Sequence, residues 1–225
     1  MNPQTTFKGV GPIELLSAAS RALIYVNLPS FGSKDVVKSL QQALPRVLKS
    51  KGLILDVRRN GGGNSANGEA IISLLTDKPI EGEHWKTRKY LPAFRAWGRK
   101  EQWYEERGDA IQPTEGTPFL GPVVVLTGPA TFSAAEDFVV PLHASKRAMI
   151  VGERTGGSSG QPLQIELPVG GHARVCTKRD TYPDGREFVG VGVIPDVEVH
   201  PTPTDIAAVR DVVLAKGVEV LKARQ

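Results

Sequence analysis

Pro122-Val-Val-Val-Leu-Thr-Gly-Pro-Ala-Thr-Phe-Ser-Ala-Ala-Glu-Asp-Phe138 passes from β-branched residues to helical spacing within seventeen positions. Pro122–Leu126 is short, apolar and rich in Val, which predicts a buried strand. From Ser133 to Leu142, Ala134, Phe138 and Leu142 recur every four residues, which predicts a helix that Pro141 ends or kinks. Glu136 and Asp137 lie near its start, where the helix dipole favours anions. Ser133 therefore sits where a strand turns into a helix. A serine there can be a plain N-cap. It can equally be a nucleophile facing a bound carbonyl, with first-turn N–H groups available to a developing oxyanion. Local sequence leaves both roles open.

Working outward, Ala22–Leu28 reads as a strand ended by Pro29-Ser-Phe-Gly32, and Ser33–Lys49 as an amphipathic helix. Val36, Val37, Leu40, Ala43, Leu44, Val47 and Leu48 mark its apolar face, with Pro45 inside it. Gly52–Val57 is apolar on both faces, as in a covered parallel sheet. These three elements make one βαβ unit, and Val123–Leu126, the Ser133 helix and Ala148–Val151 make a second. Arg58-Arg-Asn-Gly-Gly-Gly-Asn64 follows the Gly52–Val57 strand and precedes a helix from Ala66 to Leu75. Ligands bind at such a place in α/β sheets, and three glycines permit close backbone approach. No phosphate-loop or dinucleotide spacing is present, and a glycine turn without function also fits.

Residues 79–118 differ in composition, carrying Trp85, Tyr90, Trp97, Trp103 and Tyr104 among many charges. We read them as an insertion in which Tyr90–Glu106 is helical, either a substrate-facing flap or a peripheral hairpin burying its aromatics. Pro162–Val199 is β-rich, and Asp205–Lys222 predicts a C-terminal helix. Residues 1–20 are weakly structured, with Ile13–Ala22 a short helix or an arm.

The 225 residues suit one domain, and 40% hydrophobic with 23% charged residues is ordinary for a globular chain. The net charge is +4, with basic residues spread along the chain apart from a denser patch from Lys86 to Lys100; this gives nucleic-acid binding little support. Cys176 is alone, which excludes an internal disulfide and argues against a cysteine zinc site; its strand context predicts a small buried hydrophobe. No apolar run approaches the ~18 residues of a membrane span, and no signal peptide is visible at the N-terminus.

Four separated segments, in order, resemble the S41 serine peptidases, the tail-specific or C-terminal processing proteases. Asp56-Val-Arg-Arg-Asn-Gly-Gly-Gly63 is similar to the family's D-x-R-x-N-x-G-G, and Thr131-Phe-Ser-Ala-Ala-Glu136 to its T-x-S-A-x-E. Gly152-Glu-Arg-Thr-Gly156 resembles G-E-x-T, and Gly190-Val-Gly-Val-Ile-Pro-Asp196 the late G-x-G-[VI]-x-P-D. The resemblance implies an α/β fold with a ClpP/crotonase-like core of stacked βαβ units, a β-rich late part and a C-terminal helix. It implies a serine-type peptidase acting on extended polypeptide through an acyl-enzyme at Ser133. The N–H groups of Ala134 and of Gly62 or Gly63 would form the oxyanion hole. No metal or cofactor is implied, and the setting would be extracytoplasmic or periplasmic. Arg58 and Asn60 would brace the loop, and Asp196 would be a turn or salt-bridge residue.

One position departs from the family. The processing proteases place a lysine base about 25 residues after the serine, where this chain has Ser158, and no lysine occurs from Arg147 to Arg174. A serine nucleophile needs a base. His84, Lys178 and Ser158 are the candidates for base or support, with Glu187 the nearest acid to the late glutamate that the family's tricorn-like branch uses; His143 is expected to be structural. The base can alternatively belong to an N-terminal region that relatives carry. A catalytically inactive S41-like ligand- or peptide-binding module is the reading from another class. An acyl-CoA enzyme of the crotonase kind is a third.

Overall fold

The computed structural model describes residues 13–15 and 23–224. In chain order the elements are β1 (Ile13–Leu15), β2 (Leu23–Asn27), α1 (Asp35–Val47), β3 (Gly52–Asp56), α2 (Ser65–Ile72), β4 (His84–Lys89), α3 (Pro92–Ala96) and β5 (Gln102–Arg107). Then come β6 (Val123–Thr127), α4 (Ala134–Ala144), β7 (Met149–Gly152), β8 (Pro162–Leu167), β9 (Gly171–Cys176), β10 (Arg179–Thr181), β11 (Val197–Glu198), α5 (Pro203–Ala207) and α6 (Val212–Lys222).

A six-stranded sheet runs β1-β2-β3-β6-β7-β11, parallel except for β1. Its central strands are buried along their whole length, so alternate residues enter different cores. Leu53, Leu55, Val123 and Val125 face one core, with Val37, Leu40, Ile71, Phe138 and Val139 of α1, α2 and α4. Ile54, Val124 and Leu126 face the other, against Val213, Leu214 and Leu221 of α6. Burial on both sides is why these strands read as unbroken apolar runs. The two expected βαβ units, β2-α1-β3 and β6-α4-β7, are both present.

Asp196 fastens the sheet's far edge. It accepts from Ile150 N (2.8 Å) on β7 and pairs with His143 Nε2 (3.3 Å), while Tyr182 Oη lies 2.8 Å from His143 Nδ1. Among the described residues no helix is long and apolar enough to cross a membrane.

Several expectations need correction. Tyr90–Glu106 is not a helix: β4 and β5 form an antiparallel hairpin joined through the short α3. Pro92 opens that helix and Gly98, at φ +63°, stops it. Trp103 and Tyr104 then favour strand, and the tilted Trp85–Tyr104 contact at 5.4 Å locks the pairing. The single helix expected over Asp205–Lys222 is α5 plus α6, split where Val209 takes φ +52° and Asp211 caps α6 by accepting from Leu214 N (2.9 Å). Cys176 is exposed, because β8 and β9 pair only with each other and stand away from the core. In the expected Ile13–Ala22 helix or arm, Ile13–Leu15 is a strand on β2; residues 16–22 lie outside the described residues.

Candidate active site

Three loops converge beyond the C-terminal ends of the neighbouring strands β3, β6 and β7. The first is held from below. Asp56 accepts from Tyr25 Oη (2.8 Å) and from Arg58 N and Nε (3.0 Å each), while the Arg58 guanidinium reaches Asp211 at 2.7 and 2.8 Å. Burial, with the Asp56 charge, pushes the Tyr25 phenol well above its ordinary range. Arg58 thereby ties the loop to the N-terminus of α6, the bracing role expected of it. Asn60, fully buried, donates from Nδ2 to Leu28 O (2.9 Å) and accepts Gly62 N on Oδ1 (2.9 Å).

The second loop carries Ser133. Phe132 N donates to Asn60 O (3.0 Å), and Thr131 Oγ1 donates to Val57 O (2.8 Å) while accepting from Gly128 N (3.1 Å). The motif threonine and asparagine therefore staple the first two loops together. Ser133 itself adopts φ 54°, ψ −129°. For a residue with a Cβ such backbone costs about 1–3 kcal/mol and persists only where its surroundings over-determine it. Ser133 occupies the N-cap position of α4 in a capping-box arrangement with Glu136, in which the short bond from Glu136 N (2.6 Å) goes to Ser133 O and Ser133 Oγ has no hydrogen bond of its own within 3.5 Å among the described residues. Its hydroxyl faces a cavity of about 460 Å³.

Glu136 fixes the third loop. Its buried carboxylate accepts from Ser133 N (3.2 Å), Thr155 Oγ1 (2.6 Å), Gly157 N (2.7 Å) and Ser158 N (2.8 Å). Thr155 Oγ1 also accepts from Val193 N (2.7 Å), bringing in the late glycine-rich segment. Burial raises the Glu136 carboxyl above its ordinary range, and these donors oppose the rise.

The N–H groups of Ala134 and Gly63 have no acceptor among the described residues. Ala134 is the first residue of α4, where an amide has no intrahelical partner. Gly62 O accepts from Phe31 N (3.0 Å), so across the trans peptide the Gly63 N–H points away from Phe31. The Gly62 N–H is already given to Asn60. Gly62 contributes space instead: a Cβ there would lie 2.8 Å from Ser133 Cβ and 2.9 Å from Phe132 O.

The cavity beside Ser133 is acidic. Glu69, Glu83, Asp109 and Asp137 line it, with Trp85 and a single cation, Lys178. Asp137 accepts from Ser159 Oγ (2.6 Å) and Ser65 Oγ (2.7 Å), but burial pushes its carboxyl up to about 6, with the Asp180 charge adding to the rise. Glu83 is held well above the carboxylate range by burial and then by the Asp137 and Asp180 charges. No group of three His, Cys, Asp or Glu side chains among the described residues could hold a metal ion.

The candidates for base or support separate clearly. Lys178 shares the Ser133 cavity, bonds Asp180 Oδ1 and lies 5.6 Å over the Trp85 ring. Ser158 is brought in through its backbone, on the same Glu136 oxygen that holds Ser133 N. His84 is spent on Glu81 (2.9 Å) and lines a different groove, beside Glu105 and Arg107. Glu187 is exposed and pairs with Lys86 (3.0 Å) and Arg179 (3.5 Å). Sequence reasoning missed Asp137 and Glu83. Asp137 stands four residues after Ser133, a helical spacing that shares a face; nothing in the sequence points to Glu83.

Comparison with known proteins identifies the family. The model of peptidase family S41 matches residues 22–199. A chloroplastic C-terminal processing peptidase of Tetradesmus obliquus is 32% identical over 196 residues, covering 85% of this chain and 39% of its own length. The chain thus spans about two fifths of the curated relatives it matches. A putative peptidase from Parabacteroides merdae superposes with a TM-score of 0.74 at 27% identity, covering 97% of this chain and 67% of that one. A photosystem II D1 C-terminal processing protease gives 0.61 at 28% identity, covering 91% and 53%.

Proposed function

The chain belongs to peptidase family S41, and we propose that it hydrolyses peptide bonds through an acyl-enzyme formed at Ser133. The observation that carries this reading is the Ser133 backbone, held at φ 54° with its hydroxyl uncommitted at the mouth of a cavity. A helix cap takes ordinary extended backbone and does not need this strain. In this reading Ser133 Oγ attacks the peptide carbonyl carbon, and the carbonyl oxygen takes the negative charge against the N–H groups of Ala134 and Gly63. Such donors are worth roughly a hundredfold or more each in acyl transfer. The tetrahedral intermediate collapses by expelling the amine, which takes a proton, and water then releases the acyl group by the same route. Lys178 is the amine in the cavity; in its neutral form it takes the Ser133 hydroxyl proton and passes it to the leaving amine. The substrate is an extended polypeptide.

Hydrolysis of casein and of fluorogenic peptides by the wild type and by Ser133→Ala tests the nucleophile; equal rates remove it. Lys178→Met tests the base, with loss of fluorophosphonate labelling expected. A second reading, a non-catalytic peptide-binding module, is favoured by Ser158 at the family's lysine position and by the Lys178–Asp180 pair. It is supported if a fluorophosphonate fails to label Ser133 while peptides bind saturably.

A further inference from the structure

The hairpin whose base lines the Ser133 cavity ends far from it in a tip of unusual chemistry. Gly82, Glu83 and Trp85 belong to the cavity wall, and the six residues of β4 carry the chain outward by about 20 Å at ~3.3 Å per residue. From Trp85 to Lys100 there are six cations, Lys86, Arg88, Lys89, Arg95, Arg99 and Lys100, and no carboxylate. Lys86 and Arg88 are paired with Glu187 and Glu101. Lys89, Arg95, Arg99 and Lys100 form no ion pair among the described residues. Between them stand Tyr90, 71% exposed, Leu91, 46%, and Trp97, 65%. The connecting α3 buries none of its residues. Large apolar side chains held this far into solvent mark a contact surface.

We propose that this tip docks the protein on an anionic lipid bilayer. The charge is complementary, since juxtamembrane lysines and arginines are drawn to acidic headgroups. The aromatic types fit as well: Trp and Tyr settle at the headgroup level, where one end of the ring is apolar and the other wet, and Leu91 is placed to reach the acyl boundary. A nucleic-acid site would need stacking platforms along a basic groove. Here the cations gather at a single turn, and Arg99 already lies over the rings of Phe94 (4.7 Å) and Trp97 (5.2 Å). Docking through this tip holds the Ser133 cavity about 20 Å above the lipid surface, within reach of polypeptide emerging from it.

Co-sedimentation with vesicles of phosphatidylcholine, with and without about one third phosphatidylglycerol, tests the proposal at low salt, where surface charge is least screened. The full chain is expected to pellet with the anionic vesicles and not with the neutral ones, and to be released at ~0.5 M salt. Arg95→Glu/Arg99→Glu/Lys100→Glu is expected to weaken binding at least tenfold. Tyr90→Ser/Trp97→Ser, with every charge kept, is expected to weaken it severalfold and to abolish the blue shift of tryptophan emission on binding. All five positions lie at the exposed tip, and an unchanged circular dichroism spectrum confirms folding. The proposal is overturned by absence of binding to anionic vesicles, by equal binding to neutral ones, by an unaffected charge-reversal variant, or by binding to a single-stranded oligonucleotide alone.

Discussion

Glu136 and Asp137 are adjacent in sequence, yet the first serves the frame of the site and the second its cavity. Glu136 lies beneath Ser133 in the interior and accepts four hydrogen bonds, one from Ser133 and three from the Thr155–Ser158 loop. Asp137 points into the cavity, among Glu83, Glu69 and the buried Asp180. Burial raises both carboxyls. Glu136 is compensated by donors that converge on it, whereas Asp137 has two hydroxyl donors and acidic neighbours. The frame of the site is thus electrostatically satisfied, while the wall of its cavity is not. A satisfied buried network fixes geometry; an unsatisfied one stays responsive to proton and ligand.

The largest effect should come from breaking the satisfied side. Glu136→Ala strands the Ser133, Gly157 and Ser158 amides and the Thr155 hydroxyl, each in a buried or partly buried place. Unmade hydrogen bonds of this kind cost ~1–3 kcal/mol apiece, so a loss of about 4 kcal/mol in urea unfolding is expected after partial relaxation. A loss below about 1 kcal/mol would show that Glu136 is not the brace. Gly62→Ala comes next. Its Cβ would meet Ser133 Cβ at 2.8 Å, at a backbone φ of +101° that disfavours a side chain. Displacing the nucleophile by a fraction of an ångström should slow fluorophosphonate labelling about a hundredfold. Gly190→Ala is the control: φ is +83°, but nothing lies within 4 Å of the added carbon. It should cost about 1 kcal/mol of stability and leave labelling unchanged. If the two glycine variants label alike, close approach at Gly62 does not set the nucleophile's position.

The contrast between frame and wall also explains what the sequence made legible. The frame is written in local signals. Val-rich strands buried on both faces and helices at 3.6 spacing show in the local pattern, and Thr131, Glu136 and Thr155 hold the loops through their side chains. The wall is assembled from distant segments: Glu69 from α2, Glu83 from the foot of the hairpin, Asp137 from α4 and Lys178 ahead of β10. No spacing rule links them, so Lys178 could be named only as one candidate among four and Glu83 not at all. The hairpin misled for a related reason. The Tyr90–Glu106 aromatics fit a helical stripe until Pro92 and Gly98 are weighed, and the strand outcome rests on cross-strand contacts with Trp85. Strand character at Cys176 does not bring burial, because β8 and β9 form a two-stranded sheet of their own.

The smallest effect probes the unsatisfied side through its proton. The Asp137 carboxyl lies at about 6 in the fold against 3.8 as its ordinary value. The folded state therefore binds its proton more tightly than the unfolded chain does. This contribution to stability is fully present below about pH 4 and declines as pH rises, levelling off above about pH 6. Asp137→Asn removes that titration while keeping one acceptor for Ser65 or Ser159. The variant should lose less stability than the wild type between pH 4 and pH 7, by on the order of 1 kcal/mol once coupling to Glu83 and Asp180 is shared out. Thermal unfolding across that range measures it. Parallel curves for the two proteins would mean that Asp137 is ionised throughout, and that the cavity is less acidic in effect than its lining residues imply. A flattened curve for Asp137→Asn would show that the wall titrates through this carboxyl.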